Sequence, residues 1–222
     1  MLLQLYNTST VNLLLHVQCS SFVPVRRRRR SHKEFAIVLF AGVLLVGAVG
    51  YLVYAFNPCR GLPYPSTSGQ STAIHWHDLL FIFINGVNET IPTGIGEGDQ
   101  GPCTQPLHNH ADPADGGPNV IHIESPSNST FTLGDWFRVW SSTPGLRDGP
   151  TPVVFNQNQI FNYTVGNGFE LRMYVNGQQS GSFGSLQLKN HLIIVIAYGP
   201  ASSTKWSTYE KISSMPWPLP NL

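Results

Sequence analysis

The chain has 222 residues and a nearly balanced charge, with 13 Lys and Arg against 12 Asp and Glu. Beyond residue 56 there are seven basic and 11 acidic residues, a net charge of −4, and this excludes nucleic acid as a partner of that part. About 160 residues remain there, which is enough for one domain with a sizeable core.

The N-terminal part has the pattern of a membrane anchor. Five consecutive arginines, Arg26–Arg30, precede 22 uncharged residues from Phe35 to Phe56, long enough to cross a hydrocarbon core of about 30 Å. A cleavable signal peptide, the competing interpretation, would have an apolar region of about 7–15 residues. We therefore expect a cytoplasmic N-terminus (1–34), a transmembrane helix (35–56) and all later residues outside the cytoplasm of a single-pass cell-membrane protein. A further hypothesis is that residues 1–24 are absent from the mature protein, because an ordinary signal anchor can start near Val25.

The segment after the apolar run is predicted to be a short stalk. Residues 57–72, "NPCRGLPYPSTSGQST", are rich in Pro, Gly, Ser and Thr. Cys59 in this stalk and Cys103 further on are the cysteines outside the membrane on this topology. In an oxidising compartment they can form a disulfide, and two reduced thiols available to copper are the rival state.

The next segment, 73–210, is predicted to be a mainly β (α+β) domain. Two apolar runs end in Asn-Gly, at Asn85-Gly86 and Asn176-Gly177, which is the preferred two-residue turn of a β-hairpin. Further strands are predicted at 119–125 and at 191–199, the latter central because it is rich in β-branched residues.

One short amphipathic helix is predicted in the same domain. Leu133, Trp136, Phe137 and Trp140 follow helical spacing, and Thr132 with Asp135 forms a capping pattern before them. Residues 92–118 are predicted to be a long loop, and a loop of that length is usually functional or disordered. The last segment, 211–222, is a proline-rich tail.

Histidines are concentrated in one part of the chain. Five of the eight lie within 48 residues, and these are His75, His77, His108, His110 and His122. Residues i and i+2 of a strand point to the same face, so each His-x-His doublet can direct two imidazoles at one ion. These five are the predicted metal ligands.

Other polar residues near the doublets are candidates for a supporting role. They are Glu124, Asp112, Asp78 and His191. Neutral imidazoles suit zinc, copper, iron or nickel, and three histidines with an open position are typical of a reactive zinc or copper centre. We expect copper or zinc as the cofactor, with copper slightly favoured by the external location.

Six short motifs lie in the external part between residues 74 and 140: "IHWH" (74–77), "IFING" (82–86), "IPTGIG" (91–96), "LHNH" (107–110), "IHIESP" (121–126) and "FTLGDWFRVW" (131–140). Together they resemble a pattern found in uncharacterised, membrane-anchored microbial proteins located outside the cytoplasm. The resemblance implies that the five histidines form one unit, and it implies no particular reaction.

Three functions remain open at this point. The preferred prediction is a membrane-anchored protein that captures or delivers a transition metal, with the membrane and another membrane or external protein as partners. The second is a structural or interaction module on the cell surface that binds no metal. The least favoured is a metal-dependent enzyme with Glu124, Asp112 or Asp78 as proton acceptor, because no nucleophile motif or cofactor loop supports it.

Overall fold

The computed structural model describes residues 32–57, 59–97, 103–146 and 149–219. Helix α1 spans His32–Ala55, is uncharged after its first turn, and has none of its side chains buried. The helix is long and apolar enough to be a membrane anchor or a signal sequence. Residues 1–24 and the arginine run lie outside the described residues.

The described residues after this helix are rich in β-structure, with ten strands in two sheets. The strands are β1 (Ile74–Ile84), β2 (Val87–Asn88), β3 (Leu107–His108), β4 (Val120–Ser125), β5 (Phe155–Asn156), β6 (Gln159–Ile160), β7 (Tyr163–Thr164), β8 (Phe169–Val175), β9 (Gln178–Ser180) and β10 (Ile193–Pro200). Two helices follow strands of these sheets, α2 (Leu133–Ser142) and α3 (Trp206–Ser213). The mainly β fold predicted from the sequence is confirmed at this level.

The larger sheet has the order β3-β4-β1-β10-β8-β9, with β2 paired to β1. Strands β1 and β10 run parallel at its centre, and all other pairs in it are antiparallel. Central strands are covered on both faces, which is why β10 is an almost continuous apolar run. Strands β5, β6 and β7 form the small second sheet, which the sequence had not suggested.

One face of the larger sheet carries the main core. Leu80 and Ile82 of β1 and Ile196 of β10 are fully buried there with Trp136 of α2. Helix α2 begins as predicted, because the Thr132 hydroxyl accepts the Asp135 N–H at 3.2 Å and an Asp135 carboxylate oxygen accepts the Thr132 N–H at 2.9 Å. The helix therefore presents its apolar side to the sheet.

The opposite face of the larger sheet is covered by α3 at one end and by the C-terminal segment near its middle. Trp206 and Tyr209 of α3 pack with Val195 and Ala197 of β10. Trp217 and Leu219 pack against a separate group of Leu79, Val120 and Ile193. The remaining part of this face, beyond Leu79 and Val120, carries the histidines.

Several local features differ from the sequence-based expectations. Helix α3 ends at Ser213, three residues inside the predicted proline-rich tail. Part of the predicted loop 92–118 forms β3, which pairs with β4, and a 3-10 turn at Pro113–Asp115. The two Asn-Gly pairs, by contrast, lie where turns were expected: they connect β1 to β2 and β8 to β9, and all four of their residues have positive φ.

The segment interpreted as a stalk is attached to the domain by a disulfide and by hydrogen bonds. Cys59 and Cys103 form a disulfide with a Cα–Cα distance of 5.3 Å. The Tyr64 N–H donates to the Gln105 side-chain oxygen at 2.8 Å, and the Thr67 N–H donates to the Thr104 carbonyl at 2.8 Å. The disulfide leaves neither of these sulfurs as a thiol ligand for a metal.

Candidate metal centre

Three histidines form a row across neighbouring strands of the larger sheet. His77 of β1 is paired directly with His122 of β4, and His122 is paired directly with His108 of β3. Residues paired in this way point to the same face, at the separation of adjacent strands. His75 and His110 lie two positions from His77 and His108, and so both doublets border His122.

The ring distances show that the two doublets are arranged alike around His122. The ring centroids of His75 and His77 are 4.7 Å apart, and those of His108 and His110 are 4.8 Å apart. His77 and His110 each lie 4.6 Å from His122. Two groups, His75/His77/His122 and His108/His110/His122, bring one ligand atom from each member within 4.8 Å of one another, and each group can hold a metal ion.

Hydrogen bonds to backbone carbonyls decide which nitrogen of two imidazoles carries the proton. His108 Nδ1 lies 2.9 Å from the Gln105 carbonyl oxygen, and His122 Nε2 lies 2.9 Å from the Asp115 carbonyl oxygen. A carbonyl oxygen only accepts, so each of these nitrogens donates its N–H. The lone pairs of the neutral rings are therefore on His108 Nε2 and His122 Nδ1, as in proteins where a carbonyl orients a metal-binding histidine.

Two buried imidazole nitrogens have no hydrogen-bond partner among the residues that the structure describes. They are His77 Nε2 and His122 Nδ1. A buried polar atom without a partner costs about 1–3 kcal/mol, so such atoms are rare unless a ligand completes them. Both atoms belong to the paired histidines at the centre of the row.

Burial keeps the imidazoles of the row neutral. Loss of solvation, with a smaller contribution from the neighbouring His122, lowers the pKa of His77 to about 4 and the pKa of His108 to about 3. Loss of solvation also lowers the pKa of His122, against the raising effect of its bond to Asp115. These three rings therefore hold free lone pairs at neutral pH, which metal binding requires.

Each doublet has one carboxylate on its more exposed member. His75 Nε2 lies 3.1 Å from a carboxylate oxygen of Glu124, and His110 Nδ1 lies 3.1 Å from a carboxylate oxygen of Glu97. A carboxylate that accepts from an imidazole N–H fixes the orientation of the ring and makes the other nitrogen more basic. The acidic pair also offsets the charge of a bound cation.

A cavity of about 440 Å³ opens beside the row. Its lining residues are His75, His77, His110, Asp115, His122, Glu124, Asn190 and His191. The loop before β10 fixes one wall, because the Asn190 side-chain oxygen accepts the His77 N–H at 3.1 Å and the His191 N–H donates to the His77 carbonyl at 2.8 Å. The cavity gives small molecules in solvent a route to the ligand atoms.

The residues predicted to support the site lie in different places. Glu124 contacts His75, and His191 lines the cavity with its ring stacked on Trp217 at 4.5 Å. Asp112 caps the 3-10 turn by accepting the Ala114 N–H at 2.9 Å. Asp78 is fully buried on the opposite face of β1 from His77, where its carboxylate accepts the Leu192 N–H at 2.7 Å. The latter two carboxylates therefore have structural contacts of their own.

Four residues that support the imidazoles had not been selected from the sequence. They are Glu97, Gln105, Asp115 and Asn190. Gln105 and Asp115 act through backbone carbonyls, for which side-chain patterns carry no signal. Glu97 and Asn190 come from loops, and only the pairing of the strands brings them to the doublets.

Comparison with protein-family models, with curated proteins and with solved structures finds no match for this chain. The geometry of the site itself therefore has to carry any functional conclusion.

Proposed function

We propose that this protein is a membrane-anchored, extracytoplasmic protein that binds a transition-metal ion through its histidine cluster and captures or delivers that ion. The proposal is supported most directly by His77 Nε2 and His122 Nδ1, which are buried and without a hydrogen-bond partner among the described residues. A metal ion placed between the rings would satisfy both atoms.

The donor set favours zinc or copper. All candidate donors in the two groups are imidazole nitrogens, which suit zinc, copper, iron and nickel. Sulfur donors that would select cuprous copper are absent from both groups, since Met173 is fully buried in the main core and Cys59 is bonded to Cys103. Cupric copper and zinc fit this all-nitrogen set best.

The proposed location follows from the helix and the disulfide together. An apolar helix of 24 residues can remain in the membrane as an anchor. A disulfide such as Cys59–Cys103 is stable in oxidising compartments and rare in the cytoplasm. A metal site on the outer side of the membrane would be exposed to metal ions before they enter the cytoplasm. This location suits capture of metal from the surroundings or its transfer to another membrane or external protein.

Metal content of the whole protein tests the proposal. The full chain would be purified in detergent with a tag free of histidine, and zinc and copper would be counted by elemental mass spectrometry. We expect stoichiometric metal in the unmodified protein and in the control His32→Ala, which removes a histidine of α1. We expect loss of that metal in His77→Gln/His122→Gln. Absence of bound metal from the unmodified protein after incubation with either ion would refute the proposal and leave a structural or interaction module.

The cavity favours a metal-dependent hydrolase as the second candidate. Glu124 and Asp115 line the same space as His75 and His77, so a metal-bound water would have a carboxylate nearby as proton acceptor. Hydrolysis of activated ester substrates by the zinc-loaded protein, lost in Glu124→Gln while zinc is retained, would support this candidate.

A further inference from the structure

The two histidine doublets form two groups that share one member, His122. His75 and His77 lie on one side of it, and His108 and His110 lie on the other. We name His75/His77/His122 the outer triad and His108/His110/His122 the inner triad. One carboxylate lies beside each triad: Glu124 contacts His75 of the outer triad, and Glu97 contacts His110 of the inner triad.

The shared ring can serve one ion at a time. His122 Nε2 donates to the Asp115 carbonyl, which leaves a single lone pair, on Nδ1. One lone pair binds one metal ion. The two triads are therefore alternatives, and filling one removes the third ligand from the other.

The two triads differ in their access to solvent. The more exposed members of the doublets are His75, with 53% of its side chain exposed, and His110, with 29%. The more buried members are His77, which is 6% exposed, and His108, which is 1% exposed. The cavity is lined by both members of the outer doublet, His75 and His77, but by His110 alone of the inner doublet. An ion arriving from solution meets the outer triad first.

We propose that the cluster is a two-position site for a single transition-metal ion. The ion is received by the outer triad and passes to the inner triad by exchanging His75 and His77 for His108 and His110. His122 stays bound throughout, so the ion is held by at least one ligand at every stage. No electron has to be supplied for this exchange, because imidazole ligands replace imidazole ligands and the ion keeps its oxidation state. This proposal rests on the proposed function, since it requires that the cluster binds a metal.

Zinc stoichiometry of the unmodified full chain in detergent is the first test. Two alternative triads with one shared lone pair predict one zinc per chain at saturation. Two zinc ions per chain would overturn the proposal while leaving metal binding intact. No zinc at all would refute the proposed function together with this inference.

A double-mutant cycle on the two more exposed ligands is the second test. His75→Gln breaks the outer triad alone, and His110→Gln breaks the inner triad alone, so each single variant keeps one complete triad. We expect the single variant that keeps the tighter-binding triad to bind zinc within about twofold of the unmodified chain, because that triad is untouched. We expect the double variant to lose more than about 100-fold, since removing a ligand costs at least as much as removing its hydrogen-bond partner.

The cycle distinguishes alternatives from one large site. If all five rings bound a single ion together, both single variants would lose affinity and the double variant would lose about the sum of their free-energy changes. That additive result would overturn the proposal. His122→Gln should abolish tight binding in one step, and retention of one tightly bound zinc in that variant would overturn it too.

The order of events is tested by zinc uptake in a rapid-mixing experiment with a fluorescent chelator as competitor. His75→Gln should take up zinc more slowly than the unmodified chain, because it lacks the receiving triad, and the control His32→Ala should take it up at the unmodified rate. Equal uptake rates for His75→Gln and the unmodified chain would contradict entry through the outer triad.

Discussion

His77 and His122 occupy directly paired positions on β1 and β4, and their ring centroids lie 4.6 Å apart in an edge-to-face arrangement. Each presents a buried nitrogen with no hydrogen-bond partner in the described part of the chain. Two such atoms destabilise the metal-free fold, and a shared cation removes both penalties. We therefore expect metal to raise the thermal stability of the domain.

The carboxylates of Glu97 and Glu124 should strengthen metal binding through the imidazole rings that they contact. Replacing both, as Glu97→Gln/Glu124→Gln, is expected to weaken zinc binding by about 10- to 100-fold, because each ring loses the acceptor that orients it. Competition with a chelator measures the change. Glu89→Gln/Glu210→Gln removes the same charge elsewhere in the domain and should leave the affinity unchanged. Equal losses in both variants would mean that net charge alone is responsible.

Gly96 permits the close approach of its loop to β3. Its φ is +77°, and an added Cβ would lie 2.2 Å from the Leu107 carbonyl oxygen and 3.0 Å from the Cα of His108. Gly96→Ala is therefore expected to displace the inner doublet and to lower both stability and zinc affinity. Gly94→Ala is the matched control, because Gly94 has a φ of +78° but its nearest neighbour is a flexible Glu97 oxygen at 3.6 Å. The backbone cost alone, about 1 kcal/mol, should appear in both variants, and chemical denaturation measures the excess in Gly96→Ala.

Acid should destabilise the metal-free domain through its buried histidines. The pKa of His77 is lowered to about 4 and that of His108 to about 3, whereas the unfolded chain takes up these protons near pH 6.5. Between those values the unfolded state binds more protons, so the free energy of unfolding falls as pH falls from about 6.5 towards 4. Urea denaturation at several pH values in the presence of a chelator measures this slope. His77→Gln should flatten it, and an unchanged slope would mean that His77 is already protonated in the fold.

Asp78 should act in the opposite direction at higher pH. Loss of solvation raises the pKa of its carboxyl group to about 8, so the folded state holds a proton that the unfolded state releases near pH 4. The free energy of unfolding therefore falls, through this group, as pH rises from about 4 to 8. Asp78→Asn keeps an oxygen to accept the Leu192 N–H and cannot ionise. The variant should be more stable than the unmodified chain at pH 8.5, and lower stability there would contradict the assignment.

The disulfide should stabilise the domain by restricting the unfolded chain. Cys59 and Cys103 are separated by 44 positions. Closing a loop of this length contributes on the order of 2–4 kcal/mol. Cys59→Ser/Cys103→Ser is expected to lose that amount in urea denaturation, and reduction of the unmodified chain should give a similar loss. Zinc stoichiometry should remain at its original value, since neither sulfur is a candidate ligand. Loss of zinc from a folded variant would mean that the disulfide or one of its sulfurs is needed for zinc binding.

Local patterns predicted those elements whose residues determine their own conformation. The Thr132–Asp135 capping pattern and the spacing of Trp136 located α2, and an uninterrupted apolar run located the central strand β10. Helix α3 escaped prediction because Trp206 and Tyr209 are stabilised by packing on the sheet rather than by a capping sequence, and Lys205 provides no side-chain cap. Tertiary contacts determine such an element, and they are invisible in a short window of sequence.

For the site, alternation along a strand predicted that each doublet shares a face, but it could not predict which strands are neighbours. The pairing of His77 with His122 depends on β4 following a loop whose length alone leaves the register open. The same limit explains why Asp78 was considered beside the ligands: it is next to His77 in sequence, yet neighbouring strand residues point to opposite faces. Carbonyl partners such as Asp115 are set by backbone geometry and leave no trace in residue type.

The position of β1 between β4 and β10 has a consequence for biosynthesis. Asn190, which bonds the His77 backbone, lies 113 positions later in the chain, so all five imidazoles are synthesised before the segment that fixes the first doublet. At the usual rates of synthesis the delay is on the order of several seconds. Until then, the edge of β1 that pairs with β10 in the finished domain has no partner strand, and the bond from the His77 N–H to the Asn190 side chain cannot form. The five candidate ligands are thus synthesised before the loop ahead of β10 that holds the first doublet in place.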